Sequence, residues 1–229
     1  MVILIQGAMD EEIDFLIKTF NPDKHLTING YDFFVAKHKN NQIVISLTGR
    51  GLFNACISTQ LAIEQFKPDL VINQGCAGAH KKELKTGDII IGTKSVYINN
   101  FKTPIKKENE GSNSLEWLPH KTRSYCIDST NKYIDFAKQV ESKNTAKLGV
   151  LGSADIFSKE YDRIVFLNSI FGEDCEDMES VAVYKVCETF GVDRIAFRII
   201  SNNELIGEEL DKTTCLKMQQ FVKDYVDIL

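Results

Sequence analysis

The chain has 229 residues, 43% of them hydrophobic, and a formal net charge of −5, which suits one sizeable core needing no disulfide or metal staple and disfavours disorder. The acidic balance lacks the basic footprint a phosphate-backbone partner requires, so nucleic acid is excluded as an expected partner, and Lys102, Lys106 and Lys107 read as a local solvated cluster. No run approaches about 18 uninterrupted apolar residues, and MVILIQGAMDEE lacks the positive region of a secretory leader, so a cytoplasmic protein that does not enter a membrane is expected.

From the amino terminus, Val2 to Gln6 reads as a short buried strand that Gly7 ends, before a helix over about Asp10 to Phe20 with Ile13, Leu16 and Phe20 on one side. Phe33 to Lys37 and Ile43 to Thr48, separated by HKNNQ, read as a hairpin. A helix follows from about Phe53 to Phe66, with Ile57, Leu61, Ala62 and Phe66 inward and Pro68 beyond its end. Leu70 to Asn73 is a strand, and Gln74 to Gly78 reads as a tight glycine-bearing turn. Asp88 to Gly92, Leu148 to Leu151 and Ile195 to Ile200 are further apolar runs; helical patterns cover about Lys132 to Gln139, Ser180 to Phe190 and Leu216 to Leu229.

Strands interleaved with helices predict an α/β fold: a single domain over residues 1–229 with a mixed, mainly parallel central sheet covered by helices on both faces. The long irregular piece, residues 99–122, is a candidate lid or interface element, and its lone Trp117 either covers a pocket, meets a partner or packs locally. Cysteines at 56, 76, 126, 175, 187 and 215 and histidines at 25, 38, 80 and 120 show no CxxC, HxH or HExxH spacing. Buried free thiols are expected, with no metal and no cofactor.

Cys175 to Glu204 is the most telling stretch, because it sets polar groups at the ends of apolar segments. Met178 and Glu179 open a helix; Arg198, Ser201 and Asn202 close a strand. In α/β proteins small ligands gather at the carboxyl ends of strands.

Several fragments together resemble the 5′-methylthioadenosine/S-adenosylhomocysteine nucleosidase family of the purine nucleoside phosphorylase superfamily: GAMDEEI at 7–13, VINQGCAGA with KTGDII at 71–90, GSADIF at 152–157, and DMESVAV with FRIISNN at 177–203. The resemblance implies cleavage of the bond between a purine and its ribose. Such a reaction leaves positive charge on the sugar and negative charge on the base, and a site must meet both while supplying a nucleophile. It implies Glu12 as the base that activates water, against the plainer reading of an acid facing the positive end of its helix. It implies Glu179 as acceptor of the ribose hydroxyls, Met178 against the sugar, Phe157 stacked on the purine and Arg198 near the nucleophile, where a structural ion pair is the alternative.

Two positions depart from the family. Asn202 stands where the family has an Asp thought to protonate the purine N7, and an amide has no titratable proton to give. Asn202 suits a 6-oxopurine nucleoside of the futalosine, inosine or guanosine type, and also adenine, leaving the base open; Asp155 or Glu204 are candidate replacement acids. Cys76 stands where the family usually has Ser, which loosens the expected grip on the nucleophile. The DEE cluster at 10–12 favours water over phosphate, while Arg50 keeps phosphorolysis as an alternative. A nucleoside-binding protein with impaired catalysis is a further reading. Family members are commonly dimers, so a homodimer is expected, with residues 99–122 as the candidate contact.

Overall fold

Alternating burial along the first strand sets the architecture. In β1 (Val2–Gly7), Ile3 and Ile5 face one apolar layer and Leu4 the other, the period of two that a strand buried on both faces requires. The computed structural model describes residues 1–120, 125–141 and 146–229. After β1 come α1 (Asp10–Phe20), β2 (Lys24–Ile28), β3 (Tyr31–His38), β4 (Asn41–Leu47), α2 (Leu52–Phe66), β5 (Leu70–Ala79) and β6 (Ile89–Tyr97). The second half holds the short strands β7 (Phe101–Lys102), β8 (Leu118–Pro119) and β9 (Cys126–Asp128), then α3 (Asn131–Glu141), β10 (Ala146–Ser153), α4 (Tyr161–Phe171), β11 (Cys175–Asp177), α5 (Ser180–Phe190), β12 (Asp193–Asn202) and α6 (Thr214–Asp227).

The strands form one mixed sheet in the order β11-β10-β6-β12-β5-β1-β4-β3-β2, with β9 added beside β6. Pairing is parallel through β4, β1, β5 and β12 and through β6, β10 and β11; it is antiparallel in the β2–β3–β4 meander and between β12 and β6. Helices α1, α3 and α6 cover one face, where Leu16, Ala137 and Phe221 meet Ile72 and Phe197. Helices α2 and α5 cover the other, where Ala62 and Val183 meet Leu4 and Val71. The expected α/β fold is therefore present, and both sheet faces are dry.

Three local expectations fail for physical reasons. Gln74 to Gly78 is not a turn, because β5 runs unbroken to Ala79, hydrogen-bonded to β12 along one edge and to β11 at its tip. The inward face of α2 is Ala55, Ser58, Thr59, Ala62 and Ile63, with Leu61 and Phe66 half-buried against the same core as expected; Ile57 is 47% exposed instead. Two hydroxyls join that face, Ser58 Oγ bonding Ser46 Oγ at 2.8 Å and Thr59 Oγ1 donating to Gln6 Oε1 at 3.0 Å. Cys126 is exposed, unlike the expected buried thiols. Strands β2 and β11 and helix α4 also escape a reading by hydrophobic pattern, β2 because its side chains are mostly exposed and β11 because its three residues include two carboxylates.

Residues 99–120 form the small β7–β8 ribbon and a 3-10 turn at Ser114–Glu116; 121 and 122 lie outside the described residues. Trp117 packs locally, its ring 6.1 Å from that of Phe101 and 5.7 Å from the Arg163 guanidinium. Among the described residues no helix is long and apolar enough to cross a membrane.

Candidate active site

The carboxyl ends of β1, β5 and β12 meet the first turn of α1. Glu12 lies in that turn and folds back over its own helix start: Oε2 accepts from the backbone N–H of Ala8 at 2.7 Å and Met9 at 3.2 Å, and Oε1 from the N–H of Cys76 at 2.9 Å. Gly75 makes room for this, since a Cβ there would stand 2.5 Å from Oε1. Burial raises the Glu12 pKa above the usual carboxylate value, against the pull of its three N–H donors and of the Arg198 charge. Glu12 also caps its own helix start, while Asp10 and Glu11 of the same turn stay exposed; Glu11 pairs with Lys212 at 2.9 Å.

Across the cavity, β11 delivers Asp177 and the start of α5 delivers Glu179. Asp177 Oδ1 accepts from the N–H groups of Glu179 and Ser180, both at 3.0 Å, and from Ser153 Oγ at 2.6 Å. Its Oδ2 faces Arg198 Nε at 3.0 Å, and Arg198 also bonds Asn73 Oδ1 and the Phe197 carbonyl. The expected guanidinium clamp on Glu12 is thus replaced by a backbone clamp: Arg198 is the buried partner of Asp177, comes to 4.0 Å of Glu179, and reaches Glu12 only through its charge. Glu179 Oε1 accepts from Gly51 N–H at 3.1 Å, in a turn where Gly51 takes φ +97°. Burial lifts Glu179 to about 7, with Arg198 opposing and the charges of Asp177 and Glu12 adding.

Two adjoining cavities, an outer and an inner lobe, hold these groups. Glu12, Cys76, Glu179 and Ser201 line the outer lobe, together with Arg50 and Lys212. Phe157 and Met178 border both this lobe and a narrower inner one, where Asn202 and Glu204 stand. Phe157 is half exposed, with Lys159 Nζ over its ring at 5.3 Å. All seven residues singled out in the sequence gather at this place, although Asn202 belongs to the inner lobe and Arg198 lies behind the wall. Asp155 is elsewhere, accepting from Leu52 N–H at 2.8 Å at the start of α2.

Cys76 acts on Glu12 through its backbone, so the thiol loosens nothing there. Its Sγ lies 2.7 Å from Cys215 Sγ, and that contact, burial and the Glu12 charge push the Cys76 pKa upward. The donors of Glu12, Cys76 and Cys215 fall within 4.8 Å of one another, a grouping invisible at positions 12, 76 and 215 in the sequence. The thiols engage each other and the carboxylate holds three N–H groups.

His80 was not singled out, because a lone histidine beside GAH carries no spacing signal. It lies buried under the inner lobe, Nδ1 2.8 Å from Glu173 and Nε2 3.5 Å from Glu176, whose carboxylate holds the Ser158 N–H and hydroxyl beside Phe157. Burial opposes its charge, but the bonds to Glu173 and Glu176 outweigh that and lift His80 to about 9. His80→Asn is expected to destabilise the fold by about 3–5 kcal/mol by stranding two buried carboxylates. His80 stabilises fully below its ordinary value of 6.5, and the contribution disappears as pH rises through about 9. Denaturant titrations of both proteins at pH 6 and pH 10 check this, since the gap should close at the higher pH.

Two buried carboxylates, an aromatic ring and, in the adjoining lobe, an amide are what these elements bring together. Residues 2–227 match the phosphorylase superfamily, and the chain belongs to it. Within it the chain is a member of the 5′-methylthioadenosine/S-adenosylhomocysteine nucleosidase family: it is 32% identical over 212 residues to that nucleosidase from Marinomonas sp., covering 91% of this chain and 87% of the relative. Among solved structures, a futalosine hydrolase mutant of Helicobacter pylori superposes with a TM-score of 0.84 at 26% identity, over 100% of this chain and 99% of the other. An aspartate-to-asparagine mutant of the Helicobacter pylori nucleosidase, with 5′-methylthioadenosine in its active site, superposes with a TM-score of 0.83 at 26% identity, over 99% and 98%.

Proposed function

We propose that residues 1–229 form one catalytic domain that hydrolyses the N-glycosidic bond of a purine ribonucleoside of the methylthioadenosine or S-adenosylhomocysteine kind. One observation carries this reading: Glu12 and Glu179 open onto the same cavity, which Phe157 also lines. In the mechanism, Phe157 stacks on the purine, Met178 lies against the sugar and Glu179 accepts from the ribose hydroxyls. Glu12, buried and raised in pKa, takes a proton from the water that attacks the anomeric carbon. Positive charge growing on the sugar is met by the carboxylates of Glu12 and Glu179, and Asn202 donates to the base as negative charge develops there. Asp177 and Arg198 position Glu179 from behind.

Water is favoured over phosphate because the N–H groups at the start of α1, which would otherwise cradle an anion, are already taken by Glu12. A second reading, a futalosine-type hydrolase, draws on Asn202 and on the likeness to the Helicobacter pylori futalosine hydrolase. The test is release of free base from methylthioadenosine, S-adenosylhomocysteine, adenosine, inosine, guanosine and futalosine, with and without phosphate. Release that requires phosphate would sink the hydrolase, and binding without release would leave a nucleoside-binding protein. The reading also includes a homodimer: Phe53, 80% exposed, borders an apolar hollow with Leu52, Tyr97, Tyr125 and Ala182. A monomer in sedimentation at working concentration counts against that part.

Glu179→Gln gives a pH-dependent check. Because burial raises this carboxyl from 4.5 to about 7, its ionisation costs the fold nothing below pH 4.5 and costs most above pH 7. The variant is therefore expected to melt higher than the unsubstituted protein at pH 8 and equally at pH 4. It should bind ribonucleoside about 10-fold or more weakly at pH 8, having lost a charge-assisted acceptor.

A further inference from the structure

The inner lobe holds a carboxylate for which the proposed mechanism has no use. Glu204 opens the 3-10 turn Glu204–Ile206, which is held firmly: Asn203 Oδ1 accepts from Leu205 N–H at 3.0 Å, and Asn203 Nδ2 donates to the carbonyls of Lys81 and Leu84. Glu204 Oε1 accepts from Asn202 Nδ2 at 3.2 Å, and Ser201 Oγ donates to Asn202 Oδ1 at 3.0 Å. An ionised carboxylate only accepts, so Glu204 fixes which way the Asn202 amide faces and leaves its second N–H for a ligand acceptor. Lys159 Nζ approaches Glu204 at 3.9 Å from solvent and is itself 69% exposed, so it screens the carboxylate without closing it off.

Position then decides what Glu204 reads. Asn202 and Glu204 line the inner lobe and are absent from the outer lobe that contains Glu12, Glu179 and Ser201. With the sugar in the outer lobe, the six-membered ring of a purine points inward, and its N7 and 6-substituent share one edge. An N–H of Asn202 at N7 places the Glu204 carboxylate, one hydrogen bond further from the sugar, at the 6-substituent. We propose that Glu204 is the base-selecting residue of this site: it accepts from a 6-amino group, repels a 6-oxo group, and holds Asn202 in the donor orientation. The inference rests on the nucleosidase reading.

The test uses two matched pairs that differ only at C6: methylthioadenosine against methylthioinosine, and adenosine against inosine. The unsubstituted protein is expected to prefer the 6-amino member by about 10- to 100-fold in kcat/KM, the worth of one charge-assisted hydrogen bond exchanged for a repulsion. Glu204→Gln, which offers an N–H donor in place of an oxygen, should move that ratio at least about 10-fold toward the 6-oxo member, mainly through KM, with an unchanged melting temperature. Glu204→Ala, at a side chain 21% exposed, should lose the preference without gaining the 6-oxo substrate. A preference for 6-oxo in the unsubstituted protein, or a ratio that neither folded variant moves, overturns the proposal while base release still supports the nucleosidase. No base release from any of the four nucleosides overturns both.

Discussion

Glu12→Gln is expected to lower nucleoside hydrolysis by about 10²- to 10⁴-fold, the usual worth of a general base, with nucleoside affinity changed only a few-fold. The asymmetry follows from the surroundings of the carboxylate. Both oxygens face N–H donors, from Ala8 and Met9 on one side and Cys76 on the other, so the negative form is held in place while burial keeps its proton affinity above that of a free carboxylate. An amide satisfies one side, turns an N–H toward the other, and cannot take a proton from water. Rapid mixing with substrate separates the two effects, because binding should survive while the single-turnover rate falls. A variant that turns over at the original rate would remove Glu12 from the chemistry. Gly75→Ala should act in the same direction without replacing any ionisable group, since its methyl would press on Oε1.

Asn202→Asp is the counterpart, with a gain expected. The new carboxyl would lie about where Nδ2 now meets Glu204 Oε1 at 3.2 Å, and two carboxylates that close cannot both ionise, so one retains a proton near neutral pH. That proton is what an amide lacks at the departing purine. Turnover of adenine nucleosides should rise by about 10²-fold or more, and a new loss of rate should appear on the alkaline side as the shared proton leaves. The gain should shrink when Glu204→Gln is added, because the pair that retains the proton is gone. A folded variant with an unchanged or lower rate counts against a missing acid as the limit on catalysis.

Much of this site was legible because its parts are local. Each lies in a short fragment that resembles the family, Glu12 in GAMDEEI, Phe157 in GSADIF, Met178 and Glu179 in DMESVAV and Arg198 to Asn202 in FRIISNN; without that resemblance Glu12 reads as an ordinary acid at a helix start. What stayed hidden is what folding alone brings together. Nothing near Cys76 announces Cys215, nothing near His80 announces Glu173 and Glu176, and the bond from Asn202 to Glu204 depends on how the chain turns after β12. Ile57 of α2 was misjudged because it outranks Ser58 and Thr59 in hydrophobicity, whereas the hydroxyls have bonding partners on β4 and β1. Gln74 to Gly78 misled for a related reason. Glycines suggest turns, but Gly75 is small here so that a strand can pass beneath a carboxylate.

The uninterrupted course of β5 divides the labour of the pocket. Its tip is hydrogen-bonded to β12 and β11, so the amide of Cys76 that holds Glu12 belongs to the part of the molecule slowest to exchange with solvent deuterium. The turn bearing Glu204 leaves the sheet at the end of β12 and is fixed separately, by Asn203 against the carbonyls of Lys81 and Leu84. The proposed base contact and the proposed general base thus rest on different supports, so descendants of this chain can retune the first without disturbing the second.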